Sequence, residues 1–489
     1  MTRAFFVWVG LLALGCGGDV DLGGGGGSGG SSGSGGTASG GTAGSTAGGS
    51  GGTSASGGTS ASGGTSASGG TTALPCKKLE RTGDPVQVSQ DDESGFPVLV
   101  RSSAGATVVY RRFNSGPPSG YELLYPSWSA PFASTWTKPT ASATSLMGLP
   151  ADFAVGFRVA EGAIPGSVAL LHASNDNACM SLTRAIPDGA ALAGFPCPPP
   201  SFTFGPNPAA LAAAPATAGS AQTYVAAHVI GYGGAIPTNY QLAVSRVSLP
   251  TGTPPGTVSP MFDALGCAKE MMHAVTWYST SAGFLMALST SRPFLGCLDD
   301  QYADGPPNRI QIVGLGPNAD VSNPKLLHEL VLDAPVRSLA LAPRSDGGAW
   351  LVFQSSASSL SPPDPIRALA LDATGAPSTA VRTVVDPASG IGSSDPASYA
   401  VASVKNQLVL AGSWFGADCD GGGCSGLRFY LFDELSPENV APALIQSPSS
   451  VMLGSPISLL TADTHLLVAY SDWTGNPTDV WAERYECSQ

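Results

Sequence analysis

The chain has 489 residues, a formal net charge of −13 and only 12% charged residues, with 64 glycines and 41 prolines. An acidic chain with six lysines is unsuited to nucleic acid, whose binding is dominated by cationic contacts to phosphate, so no nucleic-acid partner is expected. Abundant Gly and Pro without long helical patterns exclude an all-α fold and favour many short strands joined by turns.

Residues 1–16 read as an export signal. Arg3 supplies a positive n-region and Ala4 to Leu14 an apolar run of 11 residues, too short to span a bilayer as a helix, which needs about 20. The run ends in Leu12-Ala13-Leu14-Gly15-Cys16, which resembles the lipobox of bacterial lipoproteins, although Ala13 stands where Leu is commoner. The resemblance covers these 16 residues and implies that Cys16 becomes the lipid-bearing first mature residue, making the membrane a partner. Gly17 is not the Asp that in some bacteria keeps lipoproteins at the inner membrane. The resemblance therefore implies the outer membrane of a Gram-negative bacterium, on its periplasmic or outer face. The alternative is an ordinary secretory signal with an incidental Cys.

Residues 17–75 are almost purely Gly, Ser, Thr and Ala, with Thr-Ser-Ala-Ser-Gly-Gly hexads from Thr53 onward. Nothing between Leu22 and Pro75 carries charge and almost nothing is large enough to bury. Such a segment cannot offset its ordering entropy and is expected to be disordered. A flexible chain of 59 residues reaches roughly 45 Å on average, which makes it a tether for a folded head. A glycosylated Ser/Thr stalk is the other reading.

Residues 76–489 form the head. Arg3, Asp19 and Asp21 sum to −1, so it keeps −12 of the −13. One pattern occurs in it seven times: an apolar strand, a Gly/Asp/Asn turn, and a second apolar strand ending in a small polar residue. Equivalent residues of the second strands are Val108, Val168, Val225, Leu285, Leu351, Val409 and Leu467, separated by 60, 57, 60, 66, 58 and 58. The fifth copy is the clearest, with Val336 to Ala342, a turn at Ser345-Asp346-Gly347-Gly348, and Trp350 to Ser355. Asp-Gly and Gly-Gly supply the positive φ that tight hairpins need. The first two strands of the other copies span Val98–Tyr110, Phe153–Leu171, Leu211–Ala227, Ala274–Leu288, Tyr399–Ala411 and Ile457–Ala469.

Third strands follow at Cys179–Ile186, Gln241–Leu249, Ile366–Asp372, Arg428–Asp433 and Asp479–Glu486, and Leu326–Leu332 is a candidate fourth strand. Four strands per unit of this length predict an all-β, seven-bladed β-propeller. Neither the Trp-Asp signature of WD repeats nor paired kelch glycines occur. The alternatives are a β-sandwich or a propeller of six or eight blades. The last repeat runs out after its third strand, and Pro85-Val86-Gln87-Val88 is the segment available to close it.

Nine cysteines less Cys16 leave eight, an even number suited to an oxidising compartment. Eight allow on the order of a hundred connectivities. Spacing and the repeat favour Cys76–Cys487, which would join the first and last blades, and Cys179–Cys197, Cys267–Cys297 and Cys419–Cys424. Structural zinc is disfavoured, because no CxxC pair occurs and the histidines are scattered.

In such a ring, the loops after the second strands open on one face, the expected ligand face. They begin at Arg112, His172, Val229, Ser289, Ser355, Ser413 and Ser471. Candidate contact residues are His172, Asn175, Asp176, Trp414, Asp472 and Trp473, since exposed aromatics beside Asp and Asn suit sugar stacking or a protein partner. The bland alternative for Trp414 and Trp473 is packing between blades. His172 and His228 could face a shared channel mouth or be packed. Asp418 and Asp420, inside the Cys419–Cys424 loop region, could start a calcium site, although calcium takes about six to eight oxygens; a stapled turn is the plainer reading. No other cofactor is expected. His328-Glu329 begins an HExxH pattern that fails at Leu332, GxSxG occurs nowhere outside the linker, and the turn at Asp346 resembles one degenerate sialidase Asp-box.

The leading expectation is a monomeric, membrane-tethered, extracytoplasmic lipoprotein whose head binds a protein or glycan without catalysis. A surface-displayed polysaccharide hydrolase or lyase, and an envelope scaffold, are the alternatives.

Overall fold

A computed structural model describes thirty strands between Lys78 and Ser488, together with residues 76–77, 82–85, 88–89, 136, 157, 162–164, 166–167, 195, 221, 319–321, 323–324, 332–334, 344, 346–348, 365, 372–381, 405 and 464. The described residues form strands and turns, with no helix long and apolar enough to cross a membrane.

The described chain opens with β1 (Lys78–Arg81) and β2 (Val86–Gln87). Sheet I then holds β3 (Ser94–Ser102), β4 (Gly105–Asn114), β5 (Gly120–Tyr125) and β6 (Thr144–Pro150). Sheet II holds β7 (Arg158–Glu161), β8 (Val168–Ala173), β9 (Met180–Ile186) and β10 (Ala190–Gly194). Sheet III holds β11 (Phe204–Ala214), β12 (Gln222–Tyr232) and β13 (Asn239–Leu249), with β14 (Thr257–Val258) and β15 (Phe262–Ala268) both paired to β13. Sheet IV holds β16 (Ala274–Ser279), β17 (Gly283–Ser291), β18 (Asn308–Gly316) and β19 (Lys325–Val331). Sheet V holds β20 (Val336–Pro343), β21 (Ala349–Ser355), β22 (Ile366–Leu371) and β23 (Arg382–Val385). Sheet VI holds β24 (Tyr399–Val404), β25 (Gln407–Gly416), β26 (Cys424–Phe432) and β27 (Ala443–Ile445). Sheet VII holds β28 (Ile457–Ala462), β29 (His465–Asp472) and β30 (Asp479–Ser488), and both β1 and β2 pair with β30. Every sheet is antiparallel, and apart from β15 on β13 and from β1 and β2 on β30, sequential strands lie side by side.

The seven periodic landmarks all fall on second strands, and all are fully buried. The reason is that a second strand has a partner along each edge and a neighbouring sheet over each face. Its side chains alternate between the two faces, and both faces are dry, so it reads as a continuous apolar run. On β12, Tyr224 and Ala226 pack with Leu171, Leu182 and Phe195 of the sheet II region, whereas Val225 and Ala227 pack with Phe284 and Met286 of sheet IV. On β29, Leu467 and Ala469 meet Val108 and Tyr110 of sheet I, while Val468 and Tyr470 meet Val409 and Phe429 of sheet VI. Further shared clusters join sheets IV and V around Ile312 and Leu351, and sheets V and VI around Trp350 and Leu410.

First strands touch in order. β3 lies against β7, β7 against β11, and so on through β16, β20, β24 and β28, and β28 lies against β3. Polar bonds stitch several of these junctions. Leu99 N–H donates to Ser458 Oγ at 2.8 Å, Arg101 Nη2 to the Thr461 carbonyl at 2.9 Å, and Ala163 N–H to Tyr224 Oη at 3.2 Å. The hydroxyls of Ser338 and Tyr399 bond across sheets V and VI.

The N-terminal segment completes sheet VII with two strands rather than one. Val86 and Gln87 pair with Ala482 and Trp481, within the expected closing segment. Ahead of them Lys78 to Arg81 pair with Ser488 to Tyr485. β1 lies closest to the predicted cysteine pair, and Cys76 and Cys487 form a disulfide, with Cα atoms 5.4 Å apart.

The sheet V hairpin shows how the turn chemistry works. Gly347 sits at φ 89°, Asp346 Oδ1 accepts from Gly348 N–H at 2.9 Å, and Arg344 pairs with Asp346 at 2.6 Å. A Cβ on Gly348 would lie 2.3 Å from the Leu371 carbonyl oxygen, so the close approach of β22 requires glycine there. Element edges differ locally from expectation. The first strand of sheet II begins at Arg158, while the expected start at Phe153 lies outside the described residues.

Candidate functional site

The ends of the second strands and the starts of the first strands lie together, because antiparallel pairing places them side by side. Small polar residues recur there: Ser289, Ser355 and Ser471 are buried near the ends of β17, β21 and β29. Irregular register recurs at the same end, between Gly95 and Val98 in β3, Pro208 and Ala210 in β11, and Val336 and Ser338 in β20. A bulge bends its strand and re-aims a side chain, and bulges concentrate next to functional sites.

The junction of sheets VII and I carries the clearest constellation at this end. Within the β3 irregularity, Phe96 adopts φ 54°, a conformation uncommon for a bulky residue, and its side chain is 38% exposed. The Arg111 guanidinium lies over its ring, 3.8 Å from the centroid. Gly95 pairs with Arg111 and Ser94 with Arg112. A Cβ on Gly95 would be 3.5 Å from Ser471 Oγ, which ties this bulge to the end of β29. The buried Ser471 hydroxyl has no hydrogen-bond partner among the described residues.

Asp472 follows, half-buried, directly opposite Asp479. Asp479 accepts from Ser89 Oγ at 3.1 Å, and Ser89 Oγ in turn accepts from Val480 N–H at 2.9 Å. The β3 bulge therefore presents an aromatic ring backed by a guanidinium, and the adjoining end of sheet VII carries two carboxylates at opposed strand positions. Such a surface stacks against an apolar ring face and accepts hydrogen bonds from hydroxyl or amide donors.

Of the residues anticipated for this face, Asp472 is at the rim. Trp414 is on β25 with its backbone opposite Gly426. His172 is buried on β8, its Nε2 3.0 Å from Thr183 Oγ1. His228 is buried on β12, edge-on to Phe195 with ring centroids 6.0 Å apart, and burial pushes its pKa down to about 4. Asn175, Asp176 and Trp473 lie outside the described residues, as do Asp418, Asp420, Cys179, Cys197, Cys297 and Cys419. Cys267 is on β15 and Cys424 starts β26. His328 and Glu329 lie on β19 as expected, and Glu329 accepts from Gln311 Nε2 at 2.8 Å. No group of three His, Cys, Asp or Glu side chains able to hold a metal occurs among the described residues.

Sequence reasoning passed over Phe96 and Arg111. The available signal was Gly95-Phe96-Pro97 at the entry of a first strand, where a Gly and a Pro flank an aromatic and mark an irregular strand start.

No family model matches the chain, and no curated protein does. Solved structures resemble it distantly. A Dyadobacter fermentans protein of unknown function is 10% identical over 84% of this chain and 99% of its own, with a TM-score of 0.43. Puromycin hydrolase is 13% identical over 84% of this chain and 55% of its own, with a TM-score of 0.46. A Trypanosoma rangeli sialidase is 9% identical over 83% of this chain and 58% of its own, with a TM-score of 0.35. The chain thus spans little more than half the length of the two enzymes. Likeness of this degree carries no argument about what this chain does.

Proposed function

We propose that this chain is an outer-membrane lipoprotein, anchored through Cys16, whose linker carries a closed seven-bladed β-propeller that binds a glycan at the sheet VII–sheet I rim. The ring reading is supported by the order of first-strand contacts, which returns from β28 to β3. The binding reading is supported by one observation above others: an exposed Phe96 held at positive φ under Arg111, in the bulge that meets the end of β29. Strain of this kind costs on the order of 1–3 kcal/mol and persists where the surroundings over-determine it, often at ligand clamps. An aromatic face offers stacking to a sugar ring, and Asp472 and Arg111 offer an acceptor and a donor to its hydroxyls.

The test is a glycan array probed with the tagged head, alongside Phe96→Ala and Asp472→Asn variants. Binding by the wild type that falls at least tenfold in both variants supports the reading. A null array with a specific protein captured from the cell surface would move the ligand class to protein, and a null result in both would sink the binding reading. Radiolabelled fatty-acid incorporation at Cys16, absent in Cys16→Ser, tests the anchor.

A second reading, a surface polysaccharide hydrolase, has its own observation in the opposed carboxylates Asp472 and Asp479. Paired carboxylates are the machinery of most glycoside hydrolases. Release of reducing ends from any polysaccharide that the array selects, lost in Asp479→Asn, would establish it over the non-catalytic reading.

A further inference from the structure

The point where the linker meets the head is fastened by more than strand pairing. β1 is the outermost strand of sheet VII and is hydrogen-bonded only to β30. A strand held along one edge and pulled from its end opens one bond at a time, so a tether attached there would peel it. Cys76, two residues before β1, is fastened three ways. Its sulfur is bonded to Cys487, which lies on β30 opposite Leu79. Its backbone N–H donates to Gln407 Oε1 at 2.5 Å, and Gln407 Nε2 donates back to the Cys76 carbonyl at 3.2 Å. Lys77 N–H donates to the Ser488 carbonyl at 3.0 Å. Gln407 is buried, and it starts the second strand of the neighbouring sheet VI.

We propose that this assembly is a load-transfer clasp: tension arriving along the linker passes at Cys76 directly into β30 and sheet VI, bypassing β1 and β2. The inference rests on the tether reading, in which ligand and membrane pull against each other through the head. The covalent bond takes the load into a strand with partners on both sides, since β30 lies between β29 and β1. The Gln407 amide mimics a missing peptide partner and fixes the Cys76 backbone against a second sheet. A glycan bound at the rim would then be held at working geometry under tension.

Single-molecule pulling on the mature chain tests it, with one handle at the linker's start and the other at position 194. Gly194 is exposed, and a Cβ there would meet nothing within 4 Å. Oxidised wild type is expected to extend without an early step before the head unfolds. Cys76→Ser/Cys487→Ser is expected to show an early low-force step as residues 76–93 come free, about 60 Å at ~3.5 Å per residue. Adding Gln407→Ala should lower the force of that step further. If the double-Ser chain does not fold, folded wild type held in the instrument is treated with dithiothreitol. Each reductant molecule then becomes a cyclic disulfide as Cys76 and Cys487 become two thiols, and the same step should appear. An early step of that size in oxidised wild type, or its absence from both reduced forms, overturns the clasp. Fatty-acid labelling at Cys16 is scored separately, so a failed anchor is distinguishable from a failed clasp.

Discussion

A carboxylate 1% exposed between sheets VI and VII would be costly if unpaired, and Glu483 is held by two hydroxyls: Tyr470 Oη donates to its Oε1 at 2.6 Å and Tyr485 Oη to its Oε2. Both tyrosines are fully buried, and burial beside this carboxylate drives the Tyr485 pKa up. Glu483→Ala should therefore cost about 3 kcal/mol and Tyr470→Phe about 2 in urea unfolding, as expected when a buried charged hydrogen bond loses one partner. A near-neutral Glu483→Ala would show that the trio contributes no stability. His228 is held differently, for its Nδ1 has no described partner. With a folded pKa of about 4 against an ordinary 6.5, it binds a proton more readily when unfolded. Its contribution is whole above pH 6.5 and is lost as pH falls towards 4, amounting to about 3 kcal/mol. Relative to His228→Leu, wild type should lose about 3 kcal/mol of stability between pH 7 and pH 4; parallel curves would exclude His228 as a source of acid sensitivity.

At the scale of elements, legibility follows burial. Second strands are covered on both faces, so Val225, Leu351 and Leu467 announced themselves as apolar runs with a fixed period. First and third strands were legible through their turns, as at Asp346-Gly347-Gly348. Fourth strands lie at the outer edge, where one side faces water and composition is free to vary. β19 carries Leu326 and Val331 at 56% and 61% exposure beside Lys325, and β14 is two residues long. Such segments leave little periodic signal, which is why β1 went unread while Val86 and Gln87 were anticipated. The rim was only half legible for a related reason. Asp472 stands at the end of a periodic strand, but the Phe96 conformation depends on a register shift that composition does not encode. The hairpin residues permit a direct test. Gly348→Ala drives a methyl into the Leu371 carbonyl and should cost about 2–3 kcal/mol, as overpacking against backbone does. Asp346→Ala removes a side chain to backbone bond and an ion pair that is exposed on the Asp346 side alone, and should cost about 1 kcal/mol. A reversed order in thermal unfolding would show that the turn, rather than the approach of β22, governs this sheet.

At the scale of the molecule, each described apolar cluster is shared between consecutive sheets, so stability is built from neighbour contacts, as in a linear array of repeats. An array with free ends frays from them, and in chain order the end sheets are I and VII. β30 takes its outer partner from the N-terminus, and the Cys76–Cys487 bond closes a loop of sequence separation 411. By chain entropy such a loop contributes about 6 kcal/mol, and engineered bonds usually deliver less. The location of the loss discriminates better than its size. In Cys76→Ser/Cys487→Ser, amide exchange should quicken by tenfold or more in β1, β2, β30 and β3. It should change little in β12 and β17, which share the apolar cluster around Val225 and Phe284. Local fraying opens the ends without opening the middle. Exchange that quickens equally in β12 and β30 would mean that the head opens as one unit. The bond would then act on the unfolded chain alone, and the seven sheets would form a single cooperative body rather than an array with a sealed seam.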